Sequence, residues 1–367
     1  MLNPVVIAAG GTGGHFFPAE ALADELQRRG MRVVLMTDSR SGGLNSGVFA
    51  GCERHVIAGA GLSGRGIGRA SSGVAQLARG TAQARAILAR LEPAAIIGFG
   101  GYPAVSPVLA GRLLRRRPAL ILHEQNAVLG RANRLLARIA DDLALSFAET
   151  SHVPARIATH HTGNPVRRDI ASLAGIAYAK PESRLSLLML GGSLGAKIFA
   201  SLIPEALALL PEPLRARIDL VAQYRADDIA AANAVLERAG IAHETSSFFT
   251  DIPARLATAH LVIARAGAST IAELTAAGRP SILIPLPHAI DDHQRANADA
   301  LARHNAAIRL DQATTTPELL ARAVRTLLEE PARLAAMAAA AARAGRPDAA
   351  SGLADLVQQR ASAETAR

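Results

Sequence analysis

Tryptophan is absent from this chain of 367 residues, aromatic residues make up only 3% of it, and cysteine occurs once, as Cys52. A single thiol excludes an intramolecular disulfide and a cysteine-based zinc site, and it fits a reducing compartment. The scarcity of aromatic rings argues against a protein that binds nucleic acid by stacking bases. Lysine is nearly missing as well. Lys180 and Lys197 stand alone, so the net charge of +9 is carried by arginine. Such an excess suits an anionic partner, whether lipid surface or substrate. No apolar run reaches the ~20 residues needed to cross a bilayer. The longest candidate, the alanine-rich stretch 334–342, ends at Arg343. The N-terminus lacks a basic segment followed by an apolar core, so no signal peptide is expected.

Hydrophobic residues make up 50% of the chain, which is long enough for two ordinary domains. Short apolar runs alternate with helical patterns, as expected of an α/β protein with parallel sheets and crossover helices. Strands are expected near 4–9, 32–36, 54–57, 94–97, 119–122, 141–146 and 157–160. The pattern restarts at 186–190, 218–222, 260–263, 281–284 and 306–309. The join is expected at 160–169, where Gly163, Asn164 and Pro165 break regular structure. In the helix after the first strand, Pro18 suits the first turn, Ala19, Leu22, Ala23 and Leu26 share a face, and Gly30 closes it. The last thirty residues read as helical, interrupted by Gly345, Pro347 and Gly352.

Glycine-rich loops follow several of these strands. "GGTGGH" follows the first and ends on His15, "GFGGYP" spans 98–103, and "GGSLGA" spans 191–196. Glycines between a parallel strand and a helix let backbone N–H groups approach an anion at the helix N-terminus. The first loop departs from the dinucleotide fingerprint G-x-G-x-x-G, and Asp38 is only a weak counterpart of its ribose-binding acid. "HEQN" places His123, Glu124, Gln125 and Asn126 at a strand end, and Arg131, Arg134 and Arg138 follow at one-face spacing. In "RAGASTIAEL", Ser269 is placed to cap a helix and Glu273 to accept hydroxyls from a ribose. "DDHQRANA" groups Asp291, Asp292, His293, Gln294 and Asn297, a set better suited to a polyhydroxylated ligand than to a metal.

In this order, "GGTGGH", "GFGGYP", "HEQNAVLGRANRLLA", "TGNPVR", "GGSLGA", "RAGASTIAEL" and "DDHQRANA" resemble the MurG family of bacterial N-acetylglucosaminyltransferases. Those enzymes join N-acetylglucosamine to undecaprenyl-pyrophosphoryl-N-acetylmuramyl-pentapeptide (lipid I) to give lipid II in peptidoglycan synthesis. The resemblance implies a GT-B fold, two Rossmann-like domains facing a cleft. It implies an N-terminal acceptor and membrane-side domain, 1–163, and a C-terminal domain for UDP-N-acetylglucosamine, 164–344. A terminal helix, about 345–367, would pack back on the first.

Matched position by position, the resemblance implies substrate contacts from Thr12, Gly13, Gly14, Tyr102, Asn126, Arg167, Ser193, Phe249, Ala268, Ser269, Thr270, Glu273 and Gln294. Ser193 and Arg167 would serve the pyrophosphate, Glu273 the ribose, Gln294 and Asn126 the sugar hydroxyls, and the backbone at Phe249 the uracil. One departure stands out: Leu194 occupies a position where the family usually has glutamine. The implied reaction is an inverting transfer to the C4 hydroxyl of N-acetylmuramate. His15 is the candidate general base, because an imidazole titrates near neutrality, and Glu124 is the rival. No metal ligands are assigned and no cofactor is required; a divalent ion could still assist at the pyrophosphate.

The expected partners are UDP-N-acetylglucosamine, lipid I, an anionic phospholipid surface and other cell-wall synthesis proteins, without nucleic acid. The expected location is peripheral, on the cytoplasmic face of the bacterial inner membrane. Ile67, Val74 and Leu77, rimmed by Arg65, Arg69 and Arg79, form a candidate membrane patch, with Arg112, Arg115 and Arg116 on a helix face nearby in sequence. Alternatives are another GT-B sugar-nucleotide enzyme, such as an epimerase or a transferase with a different acceptor, and a nonenzymatic nucleotide binder.

Overall fold

The computed structural model describes residues 3–10, 13–38, 47–58, 67–192 and 196–365. Two compact units account for the chain: residues 1–167 together with 348–367, and residues 168–347. The division falls after Arg167 rather than at 163, so Arg167 ends the N-terminal unit instead of opening the second.

The N-terminal unit is built on a sheet of β1 (Val5–Ala8), β2 (Val33–Thr37), β3 (Glu53–Val56), β4 (Ala95–Gly98), β5 (Ala119–Glu124), β6 (Asp142–Leu145) and β7 (Ala158–His161). Its order is β3-β2-β1-β4-β5-β6-β7, and every pairing is parallel. The inner strands are apolar at nearly every position because helices cover both faces. Val5 and Ile7 face one apolar cluster, Val6 and Ala8 the other.

The second unit repeats the plan with β8 (Leu185–Leu190), β9 (Ile218–Gln223), β10 (Ala242–Ser246), β11 (Leu261–Ala264), β12 (Ser281–Leu283) and β13 (Ala307–Arg309), ordered β10-β9-β8-β11-β12-β13. Strand order reverses beside β1 in one sheet and beside β8 in the other. In open α/β sheets, ligands bind beyond the carboxyl ends of the strands at such switch points.

Four local expectations need correction. β10 is a strand beyond those expected: its sequence, Ala-His-Glu-Thr-Ser, lies at a sheet edge where polar side chains meet solvent and no apolar signal is required. Pro18 lies inside the helix Gly13–Arg28, not in its first turn, and forgoes the bond to the Gly14 carbonyl. Gly352 does not interrupt the helix Ala349–Thr365. Arg115 and Arg116 share no helix face with Arg112, because that helix ends at Arg112.

The terminal helix belongs to the N-terminal unit. Leu353, Ala354, Leu356, Val357 and Ala361 join Val5, Ile7, Leu22 and Leu26 in one core cluster. Polar anchors flank that contact. Arg29 reaches Asp355 at 2.5 Å and the Ser351 hydroxyl at 2.8 Å. Arg360 reaches the fully buried Asp142 at 2.6 Å, and His160 meets the same carboxylate oxygen at 2.8 Å. Among the described residues, no helix is long and apolar enough to cross a membrane.

Candidate active site

In the N-terminal unit the site is assembled at the carboxyl ends of β1, β4 and β5. Strand alternation divides the "HEQN" segment. His123 follows Ala119 and Ile121 on one face of β5, whereas Glu124 follows Leu120 and Leu122 on the other.

On the first face, the Gln125 side chain is 2% exposed. Its Nε2 donates to the Phe99 carbonyl at 3.0 Å and lies 2.9 Å from His123 Nδ1. Two carbonyl oxygens, those of Phe99 and His123, surround Nε2, which fixes the orientation of the amide. Its Oε1 therefore faces His15 Nδ1, 2.8 Å away. His123 is fully buried, and its Nε2 donates to the Gly163 carbonyl at 3.0 Å. Burial pushes the His123 pKa down to about 4, with a smaller contribution from His15 in the same direction, so the ring is neutral near pH 7.

The second glycine loop packs on the His15 ring. Gly100 and Gly101 have φ of 79° and 65°, a region open to glycine. A Cβ on Gly100 would lie 3.3 Å from Asn133 Nδ2, and one on Gly101 3.5 Å from His15 Cδ2. The helix Gly101–Arg112, which carries half-buried Tyr102 in its first turn, starts from Gly100 with no side-chain cap. Its first amides are thus left to other acceptors.

Glu124 is occupied within its own loop. Oε1 accepts from the Asn126 backbone N and Nδ2, both at 3.1 Å. Oε2 accepts from Gly130 N at 2.8 Å and Asn133 Nδ2 at 2.9 Å. With four donors on a carboxylate only 2% exposed, Glu124 organises the loop that presents Asn126. The arginine stripe that follows does not form, because the helix spans Arg131–Leu136 and Arg138 lies beyond it. Arg134 instead donates to the Leu129 carbonyl at 2.7 Å.

In the second unit the loop after β11 leads into the helix Ala268–Ala276, whose N-cap is Gly267 with no side-chain cap. Ser269 is therefore not the cap. It sits inside the first turn with its Oγ buried and without a hydrogen-bond partner among the described residues. Uncapped first-turn amides beside an unmatched hydroxyl form a place for an anionic or hydroxyl-bearing ligand. Thr270 and Glu273, both half-buried, continue this turn and the next.

Two buried side chains tie the neighbouring loops together. Asn297 Nδ2 donates to the Ala266 carbonyl at 3.1 Å. Arg265 donates to the carbonyls of Ile284 and Pro285 at 3.0 and 3.1 Å and to Gln312 at 2.7 Å, stacking over Phe199. Burial lowers the Arg265 pKa to about 10, which leaves it charged at neutrality. Gln294 Oε1 accepts from Leu286 N at 2.9 Å. Just before its helix, His288, Asp291 and Asp292 hold φ of 61°, 53° and 52°, strain of a kind that collects at ligand clamps. Phe249 is buried under the Arg255 guanidinium at 4.2 Å, while its neighbour Phe248 is 69% exposed.

Thr12, Ser193 and Leu194 lie outside the described residues, as does Arg65 of the candidate membrane patch; so do the side chains of Ile67 and Arg69. Gly13 and Gly14 open the helix that carries His15. Leu77 packs partly against the core, whereas Val74 is 62% exposed. No group of three or more His, Cys, Asp or Glu side chains able to hold a metal is present among the described residues.

Gln125, His123, Asn133 and Arg265 carry no motif that marks them for a role. For the first two a signal existed, since strand periodicity puts them together on the face opposite Glu124. The bonds of Asn133 and Arg265 cross between loops and have no periodic signature.

Residues 5–145 match the glycosyltransferase family 28 N-terminal domain, and residues 186–353 match the glycosyltransferase family 28 C-terminal domain. The chain is 62% identical to the UDP-N-acetylglucosamine–N-acetylmuramyl-(pentapeptide) pyrophosphoryl-undecaprenol N-acetylglucosamine transferase of Acidiphilium cryptum, over 97% of this chain and 96% of that protein. It is 56% identical to the protein of the same name from Granulibacter bethesdensis, over 100% of this chain and 95% of that one. The crystal structure of Acinetobacter baumannii MurG superposes with a TM-score of 0.80 at 31% identity, covering 97% of this chain and 99% of that one. The kitacinnamycin glycosyltransferase, at 19% identity and a TM-score of 0.72, shares the fold. With two Rossmann-like units of GT-B type, each bearing its matching domain, the chain belongs to glycosyltransferase family 28 and, within it, to the MurG family of N-acetylglucosaminyltransferases.

Proposed function

We propose that this protein transfers N-acetylglucosamine from UDP-N-acetylglucosamine to the C4 hydroxyl of N-acetylmuramate in undecaprenyl-pyrophosphoryl-N-acetylmuramyl-pentapeptide, with inversion at the anomeric carbon. The substrates are those in the name of the Acidiphilium relative, 62% identical over nearly the whole of both chains. The structural observation that carries the mechanism is the His15–Gln125 contact of 2.8 Å, which leaves the far nitrogen of the imidazole for the acceptor.

His15 Nε2 takes the proton of the acceptor hydroxyl as that oxygen bonds to the anomeric carbon. The bond from this carbon to the donor phosphate breaks, its electron pair going to the departing UDP. The first-turn amides from Ala268, with Ser193 and Arg167, offset the charge that grows on the leaving group. Glu273 receives the ribose hydroxyls, Gln294 and Asn126 the sugar hydroxyls, and the backbone at Phe249 the uracil. Thr12, Gly13, Gly14 and Tyr102 serve substrate binding in this reading. Glu124 acts through Asn126, as a positioning residue. No resident cofactor is assigned.

The acceptor's lipid chain places the enzyme peripherally on the cytoplasmic face of the inner membrane. Exposed Arg112, Leu113, Arg115 and Arg116, at and just past the end of the helix Gly101–Arg112, supply a cationic contact to anionic phospholipid. Each basic residue near such a surface adds about 1 kcal/mol. Flotation with anionic vesicles should exceed that with neutral ones, and equal flotation would remove the lipid contact from this reading.

The experiment that tests the activity follows radiolabel from UDP-N-acetylglucosamine into a short-chain lipid I analogue. Label in a β-1,4-linked disaccharide lipid is the expected result. Donor binding without label transfer, beside an active reference transferase, would overturn the acceptor assignment and leave the fold standing.

A further inference from the structure

Beyond the base itself, the structure holds a chain of buried groups that decides which nitrogen of His15 carries its proton. We infer that Gln125, held in turn by His123, is a positioning residue that locks His15 with its proton on Nδ1. The inference rests on the reading of His15 as general base.

The argument runs from the buried end outward. The Gly163 carbonyl can only accept, so His123 Nε2, 3.0 Å away, carries a proton. The neutral His123 ring then presents a bare Nδ1, which accepts from Gln125 Nε2 at 2.9 Å. That contact and the bond to the Phe99 carbonyl, at 3.0 Å, use the two amide protons, and the third neighbour, the His123 carbonyl at 3.2 Å, confirms that an N–H donor stands there. The amide cannot flip without setting its oxygen against two carbonyl oxygens. Its Oε1 must therefore face His15 Nδ1, and an acceptor at 2.8 Å requires a proton on that nitrogen. The lone pair is left on Nε2.

A free imidazole exchanges between its two tautomers, and only the one with a bare Nε2 can take a proton from a hydroxyl approaching that side. No proton travels through the amide. When Nε2 is protonated in the reaction, Nδ1–H continues to donate to the same oxygen, so the imidazolium is supported without movement.

The test uses the full-length enzyme with three variants: Gln125→Met, which keeps the volume and removes the acceptor; His15→Ala; and the His15→Ala/Gln125→Met double variant. Turnover, donor KM, UDP affinity and unfolding midpoint are measured for each. Gln125→Met should lower kcat roughly ten- to a hundredfold, the scale on which outer-shell partners of a functional imidazole act. Its UDP affinity should stay within about twofold. The double variant should be no slower than His15→Ala, because a partner that acts only through His15 has nothing left to position. Full kcat in Gln125→Met, or multiplicative losses in the double variant, would each overturn the inference. Near-normal turnover in His15→Ala would instead overturn the reading of His15 as base.

Discussion

The imidazole of His15 and the side-chain amide of Gln125 meet at 2.8 Å although 110 positions separate them in the chain. One stands on the helix that follows β1, the other just past β5. Both are delivered to the carboxyl end of one parallel sheet, beside the strand order reversal. The glycines at 100 and 101 fit the same picture: both hold positive φ, and a Cβ on Gly100 would press on Asn133 at 3.3 Å.

Glu124 gives the first prediction. If it organises the loop and takes no proton, Glu124→Gln should weaken the fold more than the reaction. The new amide sets an N–H against donors, at about 1–3 kcal/mol for each one left unmatched. Turnover at a temperature where the variant is folded should fall by less than the 10²–10⁴-fold that loss of a general base costs, at about the scale of a positioning residue. Chemical denaturation paired with steady-state kinetics checks this, and complete loss of turnover in a folded variant would return the base role to Glu124.

Glu273 should act on donor binding. Glu273→Ala removes a charged acceptor from the ribose hydroxyls, worth roughly 1.5–3 kcal/mol in hydrogen bonds to a charged group. UDP affinity should fall by about ten- to a hundredfold, while the affinity of the N-terminal unit for the acceptor analogue is unchanged. Calorimetric titration with UDP distinguishes this from a general loss of fold.

His123 makes stability depend on pH in a stated direction. Its folded pKa is about 4 against an unfolded value of 6.5, mainly because burial disfavours the charged ring. Between those values the unfolded chain binds a proton that the folded one does not, so stability rises with pH across this window and is lost as pH falls through it. The loss below about pH 4 is on the order of 3 kcal/mol. In His123→Phe this titration is gone, so the stability gap between wild type and variant should narrow as pH drops from 6.5 to 4. Urea midpoints across that range would show it, and a constant gap would contradict it.

The terminal helix is part of the N-terminal core. Leu353→Ala, at a fully buried position, should cost about 2–5 kcal/mol. The loss should appear in the unfolding of the N-terminal unit. A change below about 1 kcal/mol would mean that the helix docks only loosely.

Much of this architecture is legible in the sequence, and the reasons are local. Val5–Ala8 and Leu261–Ala264 are short apolar runs, rich in β-branched residues and soon followed by glycine, which suits a buried parallel strand. β10 escaped because an edge strand of polar residues carries no such mark. The caps were misread for a related reason: Ser269 has the chemistry of a cap, but Gly267 already holds the extended conformation that starts the helix. The relay through His123 and Gln125 was half legible. Alternation along β5 puts them on one face, yet nothing in the sequence says that this face meets His15. Long-range contacts of single side chains, such as Arg265 with Gln312 or Arg360 with Asp142, leave no periodic trace.

The central claim is that His15 takes the acceptor's proton, and the most direct measurement compares turnover and UDP binding in wild type and His15→Ala. The account predicts a fall in kcat of about 10²–10⁴-fold with UDP affinity unchanged. Turnover within a few-fold of wild type would contradict it.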